Sequence, residues 1–145
     1  ANGGAFGNGR AHPSVSSVIA VIVEWPAVAR ARGGRNMAHN LIYMTTESEA
    51  VAERIGNALV GERLAACINI VAGMRSMYWW DGAVHQSDET ILIAKTRTSL
   101  VDQLIERVRE LHTYDCPCIV SLSIDGGNSA FLDWINAETT RREAV

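Results

Sequence analysis

Two thiols and an imidazole lie close together in this sequence: His112, then Cys116 and Cys118 on either side of Pro117. In an extended segment residues two apart point the same way, so both thiols share a side, with His112 one turn upstream. Two thiolates and an imidazole suit a soft ion, copper or zinc as Cu(I) or Zn(II), better than a hard cation. A C-x-C spacing is less specific than paired C-x-x-C motifs. The competing reading is two small apolar side chains packed at the start of a strand, the usual behaviour of free cysteine. For His112 alone, capping a helix C-terminus competes with ligation. Cys67, inside an apolar run, reads as a core thiol. Three cysteines are too few and too odd for a disulfide framework, and free thiols fit a reducing cytoplasm. Lys95 is the only lysine in the chain. It ends an apolar strand, where a charge must be paired or near solvent. His85 and Asp88 read as exposed surface. No Ser-His-Asp order, metal-hydrolase motif or Gly-rich phosphate loop is visible, so no enzymatic activity is expected.

The elements that position these groups centre on residues 75–96, RSMYWWDGAVHQSDETILIAKT. Asp81-Gly82 supplies the two positive-φ positions of a type I′ turn, a strong short hairpin signal. Met77, Tyr78, Trp79 and Trp80 precede it and suit a strand; Ile91-Leu92-Ile93-Ala94 returns. Upstream, residues 41–45 form a first strand. Thr46-Glu47-Ser48-Glu49 has capping-box form with Thr46 as the cap, and Val51, Ile55, Ala58 and Leu59 follow at helical spacing. Gly61 marks the helix exit. Residues 64–71 are a continuous apolar run, read as a central strand, and Gly73 allows a bend or bulge. A second helix starts near Thr98 or Ser99 and carries Leu100, Leu104, Val108 and Leu111 on one stripe. Pro117 excludes helix at Cys116. Residues 119–124 form the last strand. Asn128 or Ser129 caps a final helix with Phe131, Leu132, Trp134 and Ile135, and the tail from Arg141 to Val145 is expected to fray.

The order is βαββαβ plus a terminal helix. Right-handed crossovers bring the four strands into one antiparallel sheet with two helices on one face, an α+β, ferredoxin-like arrangement with an extended β-hairpin. The other face needs a cover that one short C-terminal helix does not supply. Self-association through it is the physical expectation.

Residues 1–36 read differently. They hold half of the twelve glycines and four arginines against one acid, whereas residues 37–145 carry nine basic and fifteen acidic groups, net −6. They are expected to be an extension (a tag, upstream or leader sequence), with the domain spanning 37–145 and starting at Met37. The apolar run 18–23 is too short to span a bilayer. A net charge of −3 gives no case for nucleic acid or an anionic membrane as partners.

Five stretches appear in register: Arg63-Leu-Ala-Ala-Cys67, Tyr78-Trp-Trp-Asp-Gly82, Glu89 through Lys95-Thr96, His112-Thr-Tyr114 with Pro117, and Leu132-Asp-Trp-Ile135. Together they make the chain resemble the CutA family of divalent-cation tolerance proteins, from about Leu41 to Glu138. The resemblance implies a homotrimer of ferredoxin-like subunits whose hairpins wrap their neighbours. It also implies a non-enzymatic role in the response to metal ions, with copper or another divalent ion as the bound species. Carried over by position, the family's cysteine at the end of the first strand falls on Met44, and its histidine pair on Leu111 and His112. The inherited ligand set is therefore incomplete here, and His112, Cys116 and Cys118 are the candidate metal ligands. The same resemblance implies that Trp80, Glu89, Lys95 and Tyr114 line a cleft between chains. Such a cleft suits a small anion or metabolite, as in a PII-like trimeric signalling module. The alternative for those four residues is an interface ion pair with aromatic packing.

Overall fold

The Asp81-Gly82 turn folds as its composition requires. In the computed structural model, which describes residues 38–140, Asp81 has φ 48° and Gly82 φ 78°. Both are in the left-handed region that a two-residue I′ turn demands. The turn joins β2 (Cys67–Trp80) to β3 (Ala83–Arg97). The other elements are β1 (His39–Thr46), α1 (Glu49–Gly61), α2 (Val101–Leu111) preceded by a 3-10 turn at Thr98–Leu100, β4 (Ile119–Ile124) and α3 (Ser129–Glu138). The expected extension at 1–36 and the expected frayed tail lie outside the described residues. No helix among the described residues is long and apolar enough to cross a membrane.

The sheet is fully antiparallel, in the order β2-β3-β1-β4. Alternation along each strand divides the side chains between two faces. Ile42 and Met44 of β1, and Leu92 and Ala94 of β3, are fully buried against Val51, Ala52, Ile55 and Leu59 of α1 and Leu104 and Val108 of α2. On the other face, α3 sits only over the His39–Arg97 end. There His39 Nε2 and Asn136 Oδ1 are 2.8 Å apart, and Arg97 donates to the Thr139 hydroxyl and carbonyl at 2.9 and 2.8 Å. The rest of that face is uncovered: Val71, Val120 and Leu122 are each about half exposed. β3 pairs with β1 only from Thr90 to Arg97, so its first seven residues and their β2 partners form a free-standing arm about 24 Å long.

A bulge interrupts β2. Val71 faces Ile91 and Met74 faces Glu89, so two residues stand opposite one, with Gly73 at φ 76°. Beyond it, Met74 and Ser76 bond to Tyr43 and Glu89 and so lie on the uncovered face.

Several local expectations shift. Thr46 is still in β1, paired with Thr90, so it does not cap α1. Ser48 does, its hydroxyl accepting from the Val51 amide at 3.3 Å. With Val51 at N3, the reciprocal carboxylate bond of a capping box is missing. The left-handed residue after α1 is Arg63 (φ 62°), two beyond Gly61. It is the C′ residue of a Schellman turn, its amide bonding the Val60 carbonyl and that of Leu64 the Leu59 carbonyl, and its guanidinium pairs with Glu138 at 2.5 Å. β2 begins at Cys67 rather than 64, because the Leu64 and Ala65 amides are spent on the Leu59 carbonyl. Cys67 itself is half-buried, not core, since it falls on the uncovered face beside Lys95. The start expected near Thr98 or Ser99 is the 3-10 turn, and α2 itself begins at Val101 with Leu100 as N-cap and no side-chain cap bond; the Thr98 hydroxyl bonds Asn40 at 2.5 Å. Asn128, of the two candidates, caps α3, accepting from the Ala130 amide at 3.1 Å.

Candidate functional site

Glu89 is the hub of the uncovered face. It is 9% exposed, and its carboxylate accepts from three hydroxyls. Ser76 donates to Oε2 at 2.5 Å, and Thr45 and Tyr114 to Oε1 at 3.3 and 3.2 Å. Each donor comes from a different element. Thr45 stands diagonally across on β1, Ser76 diagonally across on β2 beyond the bulge, and Tyr114 follows the C-terminus of α2. Diagonal neighbours on one face lie within side-chain reach. A buried carboxylate must be compensated, and here three neutral dipoles do it; no ion pair among the described residues includes Glu89.

The hub floors a cleft of about 630 Å³ walled by Tyr43, Tyr78, Trp80 and Tyr114, with Cys116 and Cys118 on one side. Burial, then the charge and hydrogen bond of Glu89, push the Tyr114 phenol up to about 12. Burial and then Glu89 also push the Cys118 thiol up, partly offset by a hydrogen bond with Thr45. Cys118 is exposed as a residue, and its sulfur at the cleft edge is partly desolvated. A wider depression of about 940 Å³ beside α2 is lined by Glu62, Arg107 and Glu110. Those charges are paired with one another, at 2.8 Å in each contact; Arg63 and Glu106, which also line it, pair with Glu138 and Arg109, and Asp102 is the remaining charge.

Of the four residues expected in a ligand cleft, the chain brings Trp80, Glu89 and Tyr114 together. Lys95 is not among the residues lining the cleft. It lies six positions along β3 from Glu89, about 20 Å away, and bonds the Asn69 side chain. Within one chain it therefore has no part in the cleft.

The expected metal set is not assembled either. His112 Nδ1 accepts from the Tyr114 amide at 3.0 Å, which leaves Nε2 to carry the proton and donate to the Thr45 carbonyl at 2.9 Å. Both nitrogens are thus committed to holding the loop after α2, and neither is free for an ion. The backbone amide of His112 closes α2 on Val108, but its ring spans to β1 rather than to the last helix carbonyls. Among the described residues no group of three His, Cys, Asp or Glu side chains is placed to hold a metal. Met44, at the position of the family's cysteine, is fully buried on the helix side. One chain's residues do not fit a resident copper or zinc ion.

Thr45, Ser76, Tyr43 and Tyr78 are cleft residues that the sequence reading does not assign to a site. Thr45 and Tyr43 share the alternate positions of β1, a signal that was available. Ser76 is placed by the bulge, which the sequence offered only as one of two options at Gly73.

The profile of the CutA1 divalent ion tolerance proteins matches residues 40–138. The chain belongs to that family. The divalent-cation tolerance protein CutA of Thermus thermophilus is 48% identical over 99 residues, 68% of this chain and 96% of that one. The chloroplastic CutA 1 of Oryza sativa is 42% identical over 99 residues, 68% of this chain, but the match spans only 56% of that relative's length. A crystal structure of CutA1 from Oryza sativa superposes with a TM-score of 0.71 at 40% identity, covering 73% of this chain and 97% of that one.

Proposed function

We propose that the chain acts as a homotrimeric divalent-cation tolerance protein of ferredoxin-like topology, serving metal-ion response in a reducing cytoplasm without catalysing a reaction. The observation that carries this reading is the uncovered sheet face continued by the aromatic arm. Met77, Trp79, Trp80 and Val84 are each at least 60% exposed. They lie on both faces of the arm, Trp80 on the uncovered side and Met77, Trp79 and Val84 on the other; so much exposed apolar surface marks an association site, and closed point-group symmetry is the usual way for identical chains to bury it. The strand order β2-β3-β1-β4 with α1 and α2 on one face is what a ferredoxin-like subunit requires. For metal binding, Cys116 and Cys118 are the ligands left once His112 is committed. A soft copper or zinc ion would need a second copy to complete its shell.

Light scattering on the intact chain tests the assembly. The expected mass is about three times the 15.8 kDa chain; a single-chain mass at micromolar concentration overturns the trimer. Zinc titration of the parent against Cys116→Ser/Cys118→Ser tests the ion, and equal stoichiometry removes the thiols. A second reading, a trimeric PII-like module that senses a small ligand, is favoured by the Glu89 cleft.

A further inference from the structure

The cleft has the wrong sign for an anion. Its formal charges are the carboxylates of Glu89 and Asp115, and no Lys, Arg or His lines it. Lys95, which made an anionic ligand the expectation, lies well outside it. The walls add no compensating positive charge. Beyond the two carboxylates the lining is hydroxyls, thiols, aromatic rings and a thioether, none of which becomes a cation.

A hard divalent ion fits no better. Such an ion takes about six oxygens at close range, and one carboxylate with neutral hydroxyls falls short. No three-ligand group is present among the described residues. What the cleft does offer is a carboxylate with spare acceptor capacity beside four aromatic side chains. A carboxylate accepts at about four lone-pair positions, and Glu89 fills three, with a single partner on Oε2. Tyr43, Tyr78, Trp80 and Tyr114 line the same cleft, and aromatic faces attract cations through the ring quadrupole. The volume, about 630 Å³, is in the range of small-ligand pockets.

We propose that this cleft recognises a small alkylammonium cation, its nitrogen against Glu89 and its carbon substituents against Trp80 and Tyr78. The inference rests on reading the cleft as a ligand site, and it assigns the chemical class of the ligand. The ammonium has two sources: a free amine, or the Lys95 side chain of a second copy reaching into the cleft.

Calorimetric titration of the full chain distinguishes them. The probes are n-butylammonium chloride and tetramethylammonium chloride, against sodium chloride at constant ionic strength and inorganic phosphate as the anion. The parent is compared with Glu89→Gln, Trp80→Ala and Lys95→Gln. A free amine predicts saturable binding of the organic cations to the parent, none of phosphate, loss in Glu89→Gln, and weakening by about tenfold in Trp80→Ala. Trp80 is 60% exposed, so its truncation leaves the core intact; near-ultraviolet circular dichroism confirms this for each variant. Binding seen only in Lys95→Gln supports the same chemistry and gives Lys95 of a second copy as its source. No saturable binding to either parent or Lys95→Gln, equal binding by Glu89→Gln, or binding of phosphate in place of the cations overturns the proposal. Subunit mass is measured on the same samples. A single-chain particle that binds the cation leaves this inference standing without the trimer, and a trimer that binds nothing does the reverse.

Discussion

Glu89→Gln separates the forces that hold the cleft together. The amide keeps a carbonyl oxygen for Thr45 and Tyr114, and its NH₂ can donate to the Ser76 hydroxyl, so shape and hydrogen-bond count are nearly preserved. Three bonds to a charged acceptor become bonds to a neutral one. Each is worth up to about 1 kcal/mol less, but Ser76 and Tyr114 border the open cleft and regain part of that from water. The expected cost is about 1 kcal/mol in urea unfolding. Tyr114 is the sharper readout. Its phenol stands at about 12, with burial as the first cause and the charge and hydrogen bond of Glu89 next. Neutralising Glu89 removes the latter two and leaves the first. The phenol should then titrate below 12 but above the ordinary value of about 10. The effect on stability has a definite sign. A phenol raised in the folded state contributes stability that is full below pH 10 and lost as pH climbs to about 12. Since the ring is only partly enclosed, the contribution is on the order of 1 kcal/mol after solvent screening. Tyrosinate absorbance against pH measures the titration, with Tyr114→Phe identifying its component among the three tyrosines. A Tyr114 midpoint unmoved by Glu89→Gln would show that the two groups do not interact. A fall all the way to 10 would show that burial is not the leading cause.

Other outcomes follow from the same geometry. Cys118, whose thiol the cleft wall and Glu89 hold protonated, should react with iodoacetamide more slowly at neutral pH than exposed Cys116, as counted by peptide mass spectrometry. Equal rates would mean that the sulfur is not shielded. Gly82→Val meets no neighbouring atom within 4 Å but must adopt φ 78°. It should cost about 1–2 kcal/mol through the backbone alone, read as lost amide-exchange protection at the Trp80–Ala83 pair. Leu92→Ala, at a fully buried position in the core that β1 and β3 form with α1 and α2, should lower unfolding free energy by about 2–5 kcal/mol in urea melts.

What was legible in the sequence were features that one or two residues decide. Asp81-Gly82 fixed the hairpin because few residues other than glycine, asparagine and aspartate enter the left-handed region cheaply. The apolar run at 41–45 and the alternating sets in 119–124 fixed strands whose observed bounds differ by no more than two residues. Boundaries failed where tertiary partners outbid local chemistry. Thr46 had the composition of a cap, but its pairing with Thr90 kept it in the sheet, and Ser48 took the role. Arg63, not a glycine, takes the left-handed place where α1 closes, its amide bonding Val60 and that of Leu64 bonding Leu59, and its guanidinium pairs with Glu138, 75 positions later, a contact no local pattern signals. The site was half legible. Trp80, Glu89 and Tyr114 converge, but the rule that placed Lys95 with them came from resemblance to an assembly, and one chain does not bring it near. Similarly, C-x-C spacing predicts a shared side for the thiols and is silent on whether His112 has nitrogens to spare.

The interrupted ladder of the arm has a consequence for which indole serves the cleft. At the sheet end, Val71 opposes Ile91; carried onward without interruption, that pairing would set Trp79 against Ala83 and leave a three-residue connection. The tip insists on two residues and sets Trp80 against Ala83. The two ends of the arm disagree by one residue, and the extra residue near Gly73 absorbs the difference. A tip redesigned to favour three residues would let the arm run straight, exchanging Met74, Ser76, Tyr78 and Trp80 for Gly73, Arg75, Met77 and Trp79 beside Glu89. The far end of a free-standing ribbon thus selects the side chains that greet a ligand at its root.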